Sequence, residues 1–234
     1  MGTRLELDFR APSGKGAALP LSALHEEPPG GPTRGAVLLA HGAGHDLLSP
    51  FMARIAAGLV ELGYGVLRFN YPYRERALRE KKRMLPVDPR PVLEAAHALA
   101  LAELVRRSGD PRPMLAGKSL GGRISTLLAA KDQPCRSLVL FGYPQHPPGR
   151  PDQERSEHFP AIAQPALFLQ GTRDDLCDVD RLRAALERFG GPVTLELLET
   201  GDHSFRTQKK AGLSEDDVFR WLMERIDRFE PLPS

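Results

Sequence analysis

The chain predicts an α/β fold, with a mostly parallel central sheet flanked by helices on both faces. Three observations carry that prediction. From residue 36 onward, short apolar runs alternate with longer segments whose apolar residues recur at helical spacing, the rhythm of parallel strands joined by crossover helices. Several of the runs, "AVLLAHG" (36–42) foremost, are continuously apolar and of buried-strand length. With 234 residues, 41% hydrophobic and 26% charged, the chain is long enough to bury one sizeable core, so residues 1–234 are expected to form a single domain.

The elements follow in order. "RLELDF" (4–9) and "AALPLSALHE" (17–26) read as an opening antiparallel pair, and "EPPGGPTRG" (27–35) as the turn after it. A strand at 36–42, a helix at 50–63 and a strand at "YGVLRFNY" (64–71) come next. Residues 89–109 form a long helix, started near prolines and stopped by Gly109. Beyond it lie a strand at 112–118, a helix from Leu120, strands at 136–142 and 164–171, a helix at 179–189, a strand at 193–198 and a last helix at 215–229. Residues 143–163, "YPQHPPGRPDQERSEHFPAIA", form one long irregular insertion after a strand end, and a loop of that length in a compact domain is functional or disordered. It is too short for a large helical lid. No internal repeat or low-complexity tract is present.

Composition excludes several classes of function. Thirty-two basic and 30 acidic side chains leave a net charge of +2, too little for a global field that attracts nucleic acid. Cys135 and Cys177 are the only cysteines, too few for a disulfide framework, and a reducing cytosol is expected. The start, "MGTRLELDFR", lacks the apolar stretch of a signal peptide, and Glu6 stands where a myristoylation signal has Ser or Thr. No segment approaches the ~20 apolar residues of a membrane span. A cytoplasmic protein with no membrane or nucleic-acid partner is expected, its oligomeric state left open.

The chemistry concentrates in "PMLAGKSLGGRIS" (113–125). Gly117-Lys118-Ser119-Leu120-Gly121 matches G-x-S-x-G, placed between a predicted strand and a predicted helix. A sharp strand-to-helix turn holds such a serine in strained geometry, and small residues two before and two after prevent clashes. In a parallel sheet this turn lies at the carboxyl edge, where ligands collect. A serine nucleophile needs a base, and the base an orienting acid. His203 in "ETGDHSF" lies between the last strand and the last helix, and Asp174, with Asp175 beside it, follows Gly171 at a strand end. The chain order Ser, Asp, His is that of α/β-hydrolases. Read alone, His203 is equally a loop histidine without a task and Asp174 equally a helix N-cap near residue 178.

For an oxyanion hole, "AHGAGHD" (40–46) follows the first central strand, and Ala43 is the expected N–H donor with Leu120 as the second. His41, Gly42, Gly44 and Lys118 are candidates for contacting substrate, although His41 also suits holding the loop by hydrogen bonds. Lys118 either lines the site or turns under the sheet. His41 and His45 have no carboxylate and cysteine constellation around them at metal spacing, so no metal site is expected, nor an organic cofactor.

Together "LLAHGAG", "SPFM", "RFNYPY", "AGKSLGGR", "GYPQHPPG", "EHFPAI", "LQGTRD" and "GDHSF" resemble the α/β-hydrolase-like family of bacterial predicted hydrolases, the testis-expressed protein 30 type and the hydrolase-like domain of NSL-complex subunit 3. The likeness runs from about residue 35 to the C-terminus. More distantly the chain is similar to dienelactone hydrolases, which use cysteine where this chain has Ser119. The resemblance implies an α/β-hydrolase fold with a nucleophile at Ser119, an acid at Asp174 and a base at His203. Where relatives often continue "GTRD" with proline and glycine, this chain has "DLCD", which leaves Asp175 or Asp178 as alternative acids.

"YRERALREKKR" (73–83) holds six basic and two acidic residues. It is either a solvated basic loop or a means of attracting an anionic substrate. The expected activity is hydrolysis of a small acyl substrate, a carboxylic ester, thioester or lactone, by a serine hydrolase. The alternative is a non-catalytic interaction or scaffold protein that keeps the fold, as the NSL-complex relative suggests.

Overall fold

The computed structural model describes residues 2–14 and 18–229. Eight strands form one sheet: β1 (Thr3–Phe9), β2 (Leu19–Glu26), β3 (Ala36–Ala40), β4 (Gly65–Phe69), β5 (Met114–Lys118), β6 (Leu138–Phe141), β7 (Ala166–Gly171) and β8 (Val193–Leu198). Their spatial order is β1-β2-β4-β3-β5-β6-β7-β8. The β1–β2 and β2–β4 pairs are antiparallel and all pairs from β4 to β8 are parallel. This is the α/β-hydrolase fold. The predicted opening hairpin is present, with Leu7 opposite Leu21; Ala17, the first residue of its expected second strand, lies outside the described residues.

Strands β3, β4 and β5 are buried along their whole length, because helices cover both faces. Alternate residues of each strand therefore enter opposite cores. Leu38, Leu67, Leu115 and Leu140 pack into one, under α3 (Arg90–Ser108), α4 (Leu120–Ala129) and α5 (Val179–Leu186). Val37, Leu39, Val66 and Val139 pack into the other, under α1 (Pro50–Glu61) and α6 (Glu215–Phe229). Proline occupies the first turn of α1 and α3, and Gly109 ends α3 in the left-handed conformation at φ 69°, the two ends that sequence chemistry prescribes.

One expectation needs correction. The basic run is not a loop, because Pro72–Arg79 forms helix α2. Pro72 starts it without wasting a hydrogen bond, and its inner face buries Tyr73, Glu75 and Ala77. Glu75 is inside because its carboxylate accepts from the Ser22 N–H and the Asn70 amide, both at 2.9 Å. High charge density concealed this amphipathic turn from a periodicity argument. The 143–163 insertion, in turn, is pinned onto the molecule. Tyr143, Phe159 and Ile162 are buried, and the rings of Tyr143, Phe159, Phe168 and Phe189 pack tilted or edge to face with centroids 5.3–6.0 Å apart. Its one regular element is the 3-10 turn Phe159–Ala161, so the lid is minimal.

Candidate active site

The turn from β5 to α4 carries Ser119 at φ 51° and ψ −112°. Positive φ in a residue with a Cβ costs about 1–3 kcal/mol and persists only where the surroundings impose it. Here the Ser119 N–H donates to the Phe141 carbonyl of β6 at 3.0 Å, and its own carbonyl accepts from Arg123 in α4. The two motif glycines are required by close approach. A Cβ on Gly117 would lie 2.3 Å from the Gly122 nitrogen, and one on Gly121 2.3 Å from the Ala40 carbonyl oxygen. Both contacts are with backbone and cannot be relieved by a side-chain rotation. Gly121→Ala is therefore expected to destabilise the fold by about 3 kcal/mol, a fall in Tm of roughly 6–12 °C for a chain of this size. Thermal denaturation followed by circular dichroism measures it; an unchanged Tm would contradict the packing described.

Ser119, His203 and Asp174 meet at the carboxyl edge of the sheet. Ser119 Oγ lies 2.9 Å from His203 Nε2, and His203 Nδ1 lies 2.7 Å from Asp174 Oδ2. The Asp174 side chain is fully buried. Its Oδ2 also accepts from Gln170 Nε2 at 2.7 Å, and Oδ1 from the Leu176 N–H at 2.8 Å. Burial pushes the Asp174 carboxyl up, but the hydrogen bond and charge of His203, the Leu176 N–H and the Lys118 ammonium together hold it below its ordinary range. The structure separates the three candidate acids. Asp175 is exposed, and Asp178 is the N-cap of α5, accepting from the Asp180 and Arg181 N–H groups. The capping role considered for Asp174 thus belongs to Asp178.

The loop after β3 brings Ala43 near this edge. Among the described residues neither the Ala43 nor the Leu120 N–H has a hydrogen-bond acceptor. His41 is fully buried. Its Nδ1 donates to the Gly42 carbonyl at 2.8 Å and its Nε2 accepts from the Tyr71 N–H at 3.2 Å. Burial brings its imidazole down to about 4, so it stays neutral, as that bonding pattern requires. Of the two roles offered for His41, these bonds match support of the loop. Gly42 is buried too, whereas Gly44 is exposed. Lys118 is only 2% exposed and turns under the loop that carries His203.

Sequence reasoning missed several partners of this constellation. Gln170, buried within β7, spans from the Tyr143 N–H to Asp174; an amide inside the apolar run "ALFLQG" was the available signal. Tyr73 Oη donates to the Ala43 carbonyl at 3.2 Å, and Arg74 pairs with Asp46 at 2.7 Å, tying α2 to the loop after β3. No local pattern signals these, since the partners lie about 30 residues apart. Beside the site a cleft of about 440 Å³ lies between α1, the 203–206 loop and α6, with Phe51, Ile55, Phe205 and Phe219 among its walls. Among the described residues, no group of three or more His, Cys, Asp or Glu side chains is arranged to hold a metal ion.

A family model described as alpha/beta hydrolase domain matches residues 33–230. Solved structures share the fold over nearly the whole chain. An alpha-beta serine hydrolase homologue from Coxiella burnetii is 18% identical, with 95% of this chain and 97% of that chain covered and a TM-score of 0.71. A dienelactone hydrolase from Anabaena variabilis is 21% identical, with 97% and 96% covered and a TM-score of 0.70. An α/β serine hydrolase without a lid from Xanthomonas campestris is 23% identical, with 100% and 97% covered and a TM-score of 0.70.

Proposed function

Because this chain belongs to the alpha/beta hydrolase domain family, we propose that it is a serine hydrolase acting on a carboxylic ester, thioester or lactone. The observation that carries this reading is the unbroken hydrogen-bond chain from Ser119 Oγ through His203 to the buried Asp174. In the proposed mechanism Ser119 Oγ attacks the acyl carbonyl while His203 Nε2 takes its proton. Asp174 keeps the imidazole in the tautomer that accepts at Nε2 and stabilises the imidazolium that forms. The Ala43 and Leu120 N–H groups bind the oxyanion, and His203 then protonates the leaving group. Water deacylates the serine by the same steps in reverse. A scaffold protein would need no such alignment of three side chains, which disfavours the non-catalytic alternative. The narrower likeness to the testis-expressed protein 30 type and NSL-complex subunit 3 is kept within this proposal on its motifs alone. No described helix is long and apolar enough to cross a membrane, and we place the protein in the cytoplasm on composition.

An active-site fluorophosphonate probe tests the reading. It should label Ser119 and no other residue; labelling elsewhere, or none in folded protein, would remove the central claim.

An anionic substrate remains part of the proposal, in a reduced form. Arg74, Arg76 and Lys82 are paired with Asp46, Asp88 and Glu80, so steering would fall to Arg79, Lys81 and Arg83 at the outer end of α2. The expected result is a kcat/KM advantage for a carboxylate-bearing ester over a neutral one of equal acyl length. That advantage should shrink as added salt cuts the Debye length from ~10 Å to ~3 Å. Glutamine at Arg79, Lys81 and Arg83 together should lower it while neutral-ester turnover stays unchanged. Equal response of both esters would reduce the run to plain surface.

A further inference from the structure

The base sits in a loop that is held against its own backbone preference. Thr200 and Phe205, either side of His203, have φ values of 60° and 63°, a region that side chains with a Cβ rarely adopt. Asp202 ties the loop to itself, its carboxylate accepting from the Ser204 and Arg206 N–H groups. Among the described residues, the one hydrogen bond made by the His203 main chain comes from Lys118, whose ammonium donates to the His203 carbonyl. Lys118 is the residue before the proposed nucleophile, yet it is 98% shielded from solvent and its cation stands 5.4 Å from the centre of the Phe205 ring. Room for it is made by Gly142 at the end of β6, where a Cβ would come within 2.9 Å of Lys118 Nζ and 3.4 Å of Asp174 Oδ2.

We propose that Lys118 is a positioning residue for the base: from beneath the 200–206 loop its ammonium grips the main chain of His203 and sets the imidazole between Asp174 and Ser119. The inference rests on the serine-hydrolase reading. Lys118 makes no hydrogen bond to Ser119 Oγ; at the inner wall of the cleft its ammonium donates to the His203 carbonyl, so it acts through His203. A buried ammonium is costly unless it is paired and hydrogen-bonded. The carboxylates of Asp174 and Asp202 face it from the acid and base loops, and His45, its imidazole held below the usual range by its own burial and the Lys118 charge, faces it from the loop after β3. Burial lowers the Lys118 ammonium to about 8, against the opposing pull of Asp174 and Asp202. The sign of the pH effect follows. Below that value Lys118 is charged and grips the carbonyl through a charge-assisted bond; as pH rises through it, the charge and the cation–ring attraction are lost, so turnover should decline. Stability moves the other way. The folded value lies below the unfolded one, so between about 8 and ~10.4 the unfolded chain binds more protons and this group's contribution to stability rises with pH.

The test is Lys118→Met, which keeps the length and removes the charge and donors, assayed on a short acyl p-nitrophenyl ester beside wild type and Ser119→Ala. Wild-type turnover that disappears in Ser119→Ala establishes the underlying reading independently. With that in place, Lys118→Met should lose about 10²-fold in kcat, the scale of a misplaced catalytic group, with KM unchanged. It should also lack the decline of kcat above about pH 8 that is expected of wild type. A raised KM with unchanged kcat would make Lys118 a substrate contact. Wild-type kcat, or the same alkaline decline in the variant, would overturn the proposal outright. Should the methionine variant not fold, Lys118→Arg decides: a guanidinium stays charged, so its alkaline decline should vanish, and persistence of the decline refutes the role. Should no ester be hydrolysed even by wild type, amide exchange of residues 199–207 still reads the grip, and equal exchange in wild type and Lys118→Met would dismiss it.

Discussion

Ser119→Ala is expected to lower kcat on short acyl p-nitrophenyl esters by about 10⁶-fold, the loss that accompanies removal of a serine nucleophile from a triad. The magnitude follows from the geometry of the elbow. Ser119 is the one side chain whose hydroxyl is hydrogen-bonded to His203 Nε2, and the strained turn directs it outward at the edge of the sheet. Alanine keeps the φ of 51° and the packing of Gly117 and Gly121, so the variant should fold with a nearly unchanged Tm. The Ala43 and Leu120 N–H groups would remain, and residual hydrolysis above the uncatalysed rate reports their contribution. Steady-state kinetics on the purified variant, with Tm as the control for folding, measures both. A variant that retained more than a small fraction of wild-type kcat would exclude Ser119 as the nucleophile.

Asp174→Asn should lower kcat by about 10⁴-fold while the fold persists. Asparagine is isosteric, but its amide can present an N–H to His203 Nδ1. The imidazole would then carry its proton on Nε2, facing Ser119 Oγ, and could not accept the serine proton. Gln170 Nε2 and the Leu176 N–H, which both donate to Asp174, would compete for the one remaining amide oxygen. Asp175→Asn should leave kcat within about twofold, as for any exposed position away from a functional contact. Asp178→Asn should act on α5 alone, because asparagine caps a helix about as well as aspartate. Kinetics on the three variants separates the carboxylates, and a larger loss at Asp175 than at Asp174 would reassign the acid. Asp174 also makes activity sensitive to acid. Its folded pKa is depressed, so the stability it contributes is complete above the unfolded value near 3.9 and is lost as pH falls through the folded one.

The sequence by itself determined the fold class, the succession of strands along the chain and the identity of the serine turn. These features are local. Apolar runs of strand length, helical spacing, Pro91 and Gly109 at helix ends and the glycines flanking Ser119 each act within a few residues, so a linear reading captures them. Chain order also brought Asp174 and His203 forward as partners, because in a parallel sheet successive strand ends lie on one edge. Tertiary structure alone brings Asp174 to His203 while leaving Asp175 exposed and Asp178 capping α5, since burial, capping and exposure depend on how the loop after β7 meets the base loop. It turned the basic run into a helix, because the inner face of α2 is completed by Ser22 and Asn70 from other strands. It buried His41 and gave it the Tyr71 N–H to hold. It also buried Lys118 and placed its ammonium under His203, 85 residues along the chain. A buried polar group is defined by partners distant in sequence, and only packing brings those partners together.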